Sequence, residues 1–116
     1  MRMWMVNPQI LCKNHLLGEH RELHTCVGLL RKGVSMKNYF KNNLFEPLSL
    51  MNRHDEIVKE LYVRGYNHHT PILDNISEIV RYLPTELIST KVDSVDSLSN
   101  LLNRCEKCKE RYVSIT

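Results

Sequence analysis

The chain has 116 residues, 42% of them hydrophobic and 25% charged, which is enough for one domain with one modest core and too short for separate cofactor and substrate domains. No apolar run approaches the roughly 18 to 20 residues that span a bilayer, and the composition is that of a globular chain, not a disordered one. Sixteen Lys plus Arg against 13 Asp plus Glu leave a formal charge of +3, which announces a nucleic-acid binder only where it is concentrated. Residues 1–35 hold five Lys/Arg against two acids, residues 36–70 five against four, and residues 71–116 six against seven. The whole formal excess therefore belongs to the first segment.

The first ten residues, MRMWMVNPQI, put Arg2 where a signal peptide carries its charge. Asn7, Pro8 and Gln9 interrupt the apolar stretch such a peptide needs, and no small-residue cleavage site follows, so a cytoplasmic chain is expected. In a reducing compartment the four cysteines, Cys12, Cys26, Cys105 and Cys108, read as buried thiols or metal ligands.

Asn7-Pro8 is a helix start, with Asn to cap free N–H groups and Pro suited to the first helical position. From there Ile10, Leu16/Leu17, Leu23, Val27, Leu30 and Val34 recur at three- and four-residue steps and predict one long helix, with Gly18 and Gly28 as weak points. Gly33 and the polar residues 35–38 end it, and 39–49 reads as a loop with at most a short turn of helix. A second helix is predicted from Ser49 to Arg64, with Leu50, Ile57, Val58 and Leu61 on one side and Gly65 as its C-cap. Ile72, Ile76, Ile79/Val80 and Leu83 predict a third, stopped by Pro84. Ser94 or Asp93 caps a fourth, in which Val95, Leu98, Leu101/Leu102 and Cys105 repeat at helical spacing. No stretch alternates at period two. The expectation is an all-α chain, a single domain over 1–116 of about four helices, with the N-terminal segment packed near the first helix. It has no internal repeat and is expected to be a monomer.

The densest chemistry is His15-Leu16-Leu17-Gly18-Glu19-His20-Arg21-Glu22-Leu23-His24. On a helix His15, Gly18, Glu19 and Glu22 share one face, and a glycine among polar side chains leaves a shallow spot open to close approach by a backbone or a sugar. By spacing alone this reads as a solvated helix face with chance histidines and a Glu-Arg pair.

Residues 15–23, HLLGEHREL, followed by Val27-Gly28 and Arg31-Lys32-x-Val34, resemble the opening helix of the phage-type endonuclease V family, the pyrimidine-dimer DNA glycosylase/AP lyases. Arg53, Glu56, Glu60 and Arg64-Gly65-Tyr66-Asn67 resemble a second run of the same family. Together the two matches cover roughly residues 1–67. The resemblance implies an enzyme that needs no cofactor, acts on damaged double-stranded DNA and uses its N-terminal α-amine as nucleophile. Counting back from His15 by the family's spacing lands on Met1, and the large Arg2 disfavours removal of Met1, so the amine of Met1 is the implied reactive group. An α-amine titrates at about 7.7 to 8.0, so part of it is neutral and nucleophilic at cell pH. Arg2 and Arg21, if close, would lower that further by like-charge repulsion.

Glu22 falls on the family's catalytic glutamate. Arg2, Asn14, His15, Arg21, Arg31 and Lys32 fall on positions that face phosphates or the site, where contacts hold the duplex in register. Thr25 departs from the pattern, which has an arginine there. Arg53, His54 and Arg64 read as a solvated helix face, with DNA contact as the weaker alternative.

Beyond Asn67 the likeness fades. The aromatic, basic C-terminal segment of well-known members is replaced by Cys105-Glu-Lys-Cys108-Lys-Glu-Arg-Tyr112, so the lesion is left open: a dimer, uracil, another altered base or an abasic site. A non-catalytic DNA-binding protein of the same fold is the rival reading. Cys105-x-x-Cys108 has the spacing of half a zinc site, and plain helix-end thiols are the alternative. Cys12 and Cys26, about 21 Å apart on one helix, cannot both complete it; one of them, His68 or His69 could contribute singly.

Overall fold

A computed structural model describes residues 1–67 and 70–116; His68 and His69, named above as single zinc ligands, lie outside the described residues. Asn7 caps as its sequence context predicts, its Oδ1 accepting the Gln9 N–H at 3.0 Å with Pro8 in the first turn. What it starts is a single 3₁₀ turn, Pro8–Ile10, after which Leu11 and Cys12 are extended before α1, Lys13–Arg31, begins. The predicted unbroken helix is thus corrected to a turn and a helix. The break lets Ile10, Leu11 and Cys12 all be buried at once, which one face of a continuous helix could not do.

Helix α1 buries Leu16, Leu23 and Val27, as the periodicity predicts, and Val34, expected on the same face, lies exposed beyond its end. It closes on Gly33, at φ +75°, with Gly33 N–H bonded to Leu30 O and Val34 N–H to Leu29 O, both at 3.0 Å. A short α2, Lys37–Lys41, buries Phe40, and a 3₁₀ turn over Pro47–Ser49 leads into α3, Leu50–Val63. Helix α3 ends by the same pattern on Gly65, at φ +78°, within one residue of the expected boundary.

The predicted third helix shortens to α4, Ile76–Val80, capped by Asn75, and beyond Pro84 comes an unpredicted α5, Thr85–Ile88. Asp93 caps α6, Ser94–Arg104, by accepting the N–H groups of Val95 and Asp96, both at 3.1 Å. Cys105 does not continue α6: it is extended, at φ −129° and ψ 106°, and its Sγ caps α7, Glu106–Ile115. Val95, expected on the apolar face, is exposed.

The described residues therefore hold seven helices and no strand, all-α as predicted but not four helices. Helix α1 packs on α3 and α4, α7 packs on α6, and α7 also meets the 3₁₀ turn near the N-terminus. The radius of gyration, 14.1 Å, is that of one compact body. No described helix is long and apolar enough to cross a membrane.

Candidate active site at the N-terminal segment

Residues 1–6 form no helix, yet Met3, Trp4 and Val6 are buried and the backbone between them is bonded from several sides. Met3 N–H donates to Leu44 O at 2.8 Å; Trp4 N–H donates to Glu19 Oε1 at 3.2 Å; Ser97 Oγ donates to Trp4 O at 2.5 Å. Arg53 Nη1 donates to Val6 O at 2.6 Å. An extended strap of apolar residues is thus drawn through the core, with its polar backbone satisfied by α1, α3, α6 and the 42–46 turn.

Arg53 and Glu19 make this possible. The carboxylate accepts Arg53 Nε at 2.5 Å and Nη2 at 2.9 Å, and both side chains are buried, at 2% and 0% exposure. The expectation of a solvated face at Arg53 and His54 is therefore wrong. Arg53 points inward because the strap's backbone at Val6 O needs a partner there, while buried His54 turns to Thr70 O, and period alone reveals neither partner. Arg64 ion-pairs with Glu60 at 2.8 Å and donates to Pro8 O at 3.1 Å, tying α3 to the N-terminal turn.

One turn beyond Glu19 on α1, half-buried Glu22 accepts the backbone N–H of Arg2 at 3.1 Å. Its carboxylate sits one peptide unit from the α-amine of Met1. The Arg2 guanidinium lies over the Trp4 ring, 4.2 Å from its centroid, and its Nε is buried without a hydrogen-bond partner among the described residues. Burial, then the like charge of Arg104, holds the Arg2 guanidinium below its ordinary value. Arg104 is thus a cationic neighbour of Arg2.

Asn14, Gly18, Arg21, Thr25, Gly28 and Lys32 follow one another at helical steps along α1 and form an exposed or half-exposed stripe. A Cβ added at Gly18 or Gly28 would meet nothing within 4 Å, so internal packing does not require either glycine. Thr25 Oγ1 donates to Arg21 O at 3.0 Å, and Arg31 pairs on the surface with Asp74 at 3.1 Å.

His15 goes elsewhere. Its Nδ1 lies 3.3 Å from Cys12 Sγ and 3.5 Å from Cys108 Sγ, and its ring meets Trp4 edge-on at 5.7 Å. Cys105 joins the same group, with its Sγ 3.8 Å from that of Cys12. Burial pushes the Cys108 thiol up to about 12. Partial burial also opposes ionisation of Cys105, but hydrogen bonds from Cys108 and Cys12 outweigh it and bring that thiol below 9.0. Cys26 stands apart, fully buried, its thiol raised to about 12 by desolvation. A second cluster that the sequence reading missed is His20, His24 and His54, whose Nε2 atoms lie 3.3, 2.9 and 3.0 Å from Thr70 O. His20 and His24 at i, i+4 were the available signal; the partner on α3 was not visible locally.

Among comparisons with known proteins, a family model described as pyrimidine dimer DNA glycosylase matches residues 1–74, the part that holds the strap, α1 and α3. Neither the comparison with curated proteins nor that with solved structures gives a match.

Proposed function

The chain belongs to the pyrimidine dimer DNA glycosylase family, and on that premise we propose that it removes a damaged base through an imine with the α-amine of Met1 and then cuts the strand. The neutral amine attacks C1′ of the damaged nucleotide, the C1′–N bond breaks and the base leaves with a proton. Ring opening gives an imine between Met1 and the sugar. Loss of the C2′ proton then forms a C2′=C3′ bond as the C3′–O bond to the phosphate breaks, and water frees the amine.

The observation that carries this reading is the 3.1 Å bond from Arg2 N–H to Glu22. It holds a carboxylate beside the chain end, where it can stabilise a cationic sugar and accept the C2′ proton. Glu19, one turn away, has both oxygens committed to Arg53 and Trp4, so the proton-handling role falls to Glu22.

Double-stranded DNA is the substrate on this reading, a pyrimidine dimer by family. Contacts come from Arg2, Asn14, Arg21, Arg31 and Lys32. His15, which the resemblance also assigns to DNA, is turned to the cysteines and is left out of that set. The open spots at Gly18 and Gly28 let a sugar-phosphate backbone approach α1.

Borohydride reduction in the presence of dimer, uracil and abasic oligonucleotides tests both steps. A covalent protein–DNA adduct is expected on abasic DNA and on the glycosylase substrate. Folded protein that traps on none of the three refutes the reading, and trapping on the abasic strand alone restricts it to the lyase step.

A further inference from the structure

Cys12 stands at the start of α1 with His15 three residues on, and Cys105 stands at the start of α7 with Cys108 three residues on. The fold brings these two half-sites together from opposite ends of the chain. The four ligand atoms, three Sγ and His15 Nδ1, all lie within 4.8 Å of one another. We propose that they bind one zinc ion as a Cys3His structural centre.

Three edges of the cluster match those of a tetrahedral zinc centre. Zn–S bonds of about 2.3 Å and a Zn–N bond of about 2.0 to 2.1 Å require S···S edges of about 3.8 Å and S···N edges of about 3.5 Å. The Cys12–Cys105 edge is 3.8 Å, and the His15 edges to Cys12 and Cys108 are 3.3 and 3.5 Å. A disulfide needs its sulfurs at about 2.05 Å, and all four cysteines are free.

The surroundings suit anionic sulfur. Cys12 N–H points at Cys108 Sγ at 3.2 Å, and Cys108 N–H at Cys105 Sγ at 3.4 Å. Both half-sites lie at helix N-termini, where the backbone dipoles favour negative charge. Soft thiolates with one imidazole select zinc over hard cations, and four protein ligands leave no open position for water or substrate. Binding exchanges three thiol protons for the metal: Zn2+ and three Cys–SH give an anionic three-thiolate complex with neutral His15, and three protons go to solvent.

Such an ion would tie residues 12 and 15 to residues 105 and 108, joining α7 to the start of α1. It would also fix the His15 ring against Trp4, and so steady the strap that carries Met1.

The full chain, produced with zinc available and purified under reducing conditions, is expected to carry about one zinc per molecule by elemental analysis. Substituting Cys105→Ser with Cys108→Ser lowers that content by at least about tenfold. Since this variant can fail to fold, wild-type chain stripped by chelator is also titrated with Co2+. Expected are the strong visible bands of a tetrahedral centre with sulfur-to-metal charge transfer, saturating at one equivalent and abolished by Zn2+. His15→Cys retains the metal and strengthens the charge-transfer bands. The proposal is overturned by folded wild-type chain that gives no such spectrum, by metal-free chain holding a Cys12–Cys105 disulfide, or by zinc that survives the double serine variant and so belongs to His20, His24 and His54.

Discussion

The guanidinium of Arg53 and the carboxylate of Glu19 form a two-bond pair inside the core, and each also holds the backbone of the N-terminal strap, at Val6 O and Trp4 N–H respectively. Removing one partner leaves a buried charge uncompensated. Arg53→Met is therefore expected to cost about 3 to 5 kcal/mol of stability, and adding Glu19→Gln to it should restore part of the loss. Urea unfolding of the two variants checks this. A double variant no more stable than Arg53→Met alone would contradict it.

Two carboxylates three residues apart on α1 are predicted to behave oppositely. Glu22 is half-buried and accepts a hydrogen bond from the Arg2 N–H, so Glu22→Gln should keep fold and DNA binding while slowing strand cleavage by about 10² to 10⁴-fold. Glu19→Gln should lower the melting temperature before any catalytic effect can be read. Single-turnover cleavage alongside thermal melting separates the two.

Gly18 sits in a helix with nothing near its missing side chain, so Gly18→Ala should stabilise the protein by about 0.5 to 1 kcal/mol. On the proposed function the same methyl narrows the approach of DNA beside Glu22. Affinity for duplex should fall while the melting temperature rises. A variant gaining both would place the DNA on another face.

The closeness of Gly18 and Glu22 on α1 was legible from helical spacing alone, whereas the burial of Glu19 against Arg53 and the turn of His15 to the cysteines were not. The glycine stops at Gly33 and Gly65 and the Asp93 cap were legible for the same local reason. What was hidden depends on partners distant in sequence. Arg53 looks like any exposed helix cation until the Val6 carbonyl, 47 residues away, is placed beside it. His15 looks unrelated to Cys105 and Cys108 until chain closure brings it, with Cys12, within bonding reach. Asn7 is a true cap, but whether its turn continues as a helix was decided by the burial of Leu11 and Cys12.

Arg31 shares its guanidinium with Asp74 across an exposed ion pair worth at most about 1 kcal/mol to the fold. Asp74→Asn should thus leave stability unchanged and free Arg31 for phosphate, tightening duplex binding. Arg31→Ala should weaken binding and reduce the slope of log affinity against log salt by about one. A salt series on both variants by fluorescence anisotropy checks the pair.

Cys26 should resist alkylation in the native protein, because its buried thiol stays protonated until about pH 12. A folded-state value raised from 9.0 means that the native state holds the proton longer than the unfolded one, so this group's contribution to stability falls as pH climbs from 9.0 towards 12. Iodoacetamide mapping by mass spectrometry should label Cys26 only after denaturant is added.

The strap has a consequence for synthesis. Met1 to Val6 are translated well before Ser97, yet it is Ser97, 93 residues on from Trp4, that holds Trp4 O. The segment cannot be locked in place until Ser97 has cleared the ribosome. A nascent chain shorter than that would expose Met3 and Trp4 to solvent with α1 already able to form, and the chain end destined for the candidate site would be among the last parts to settle.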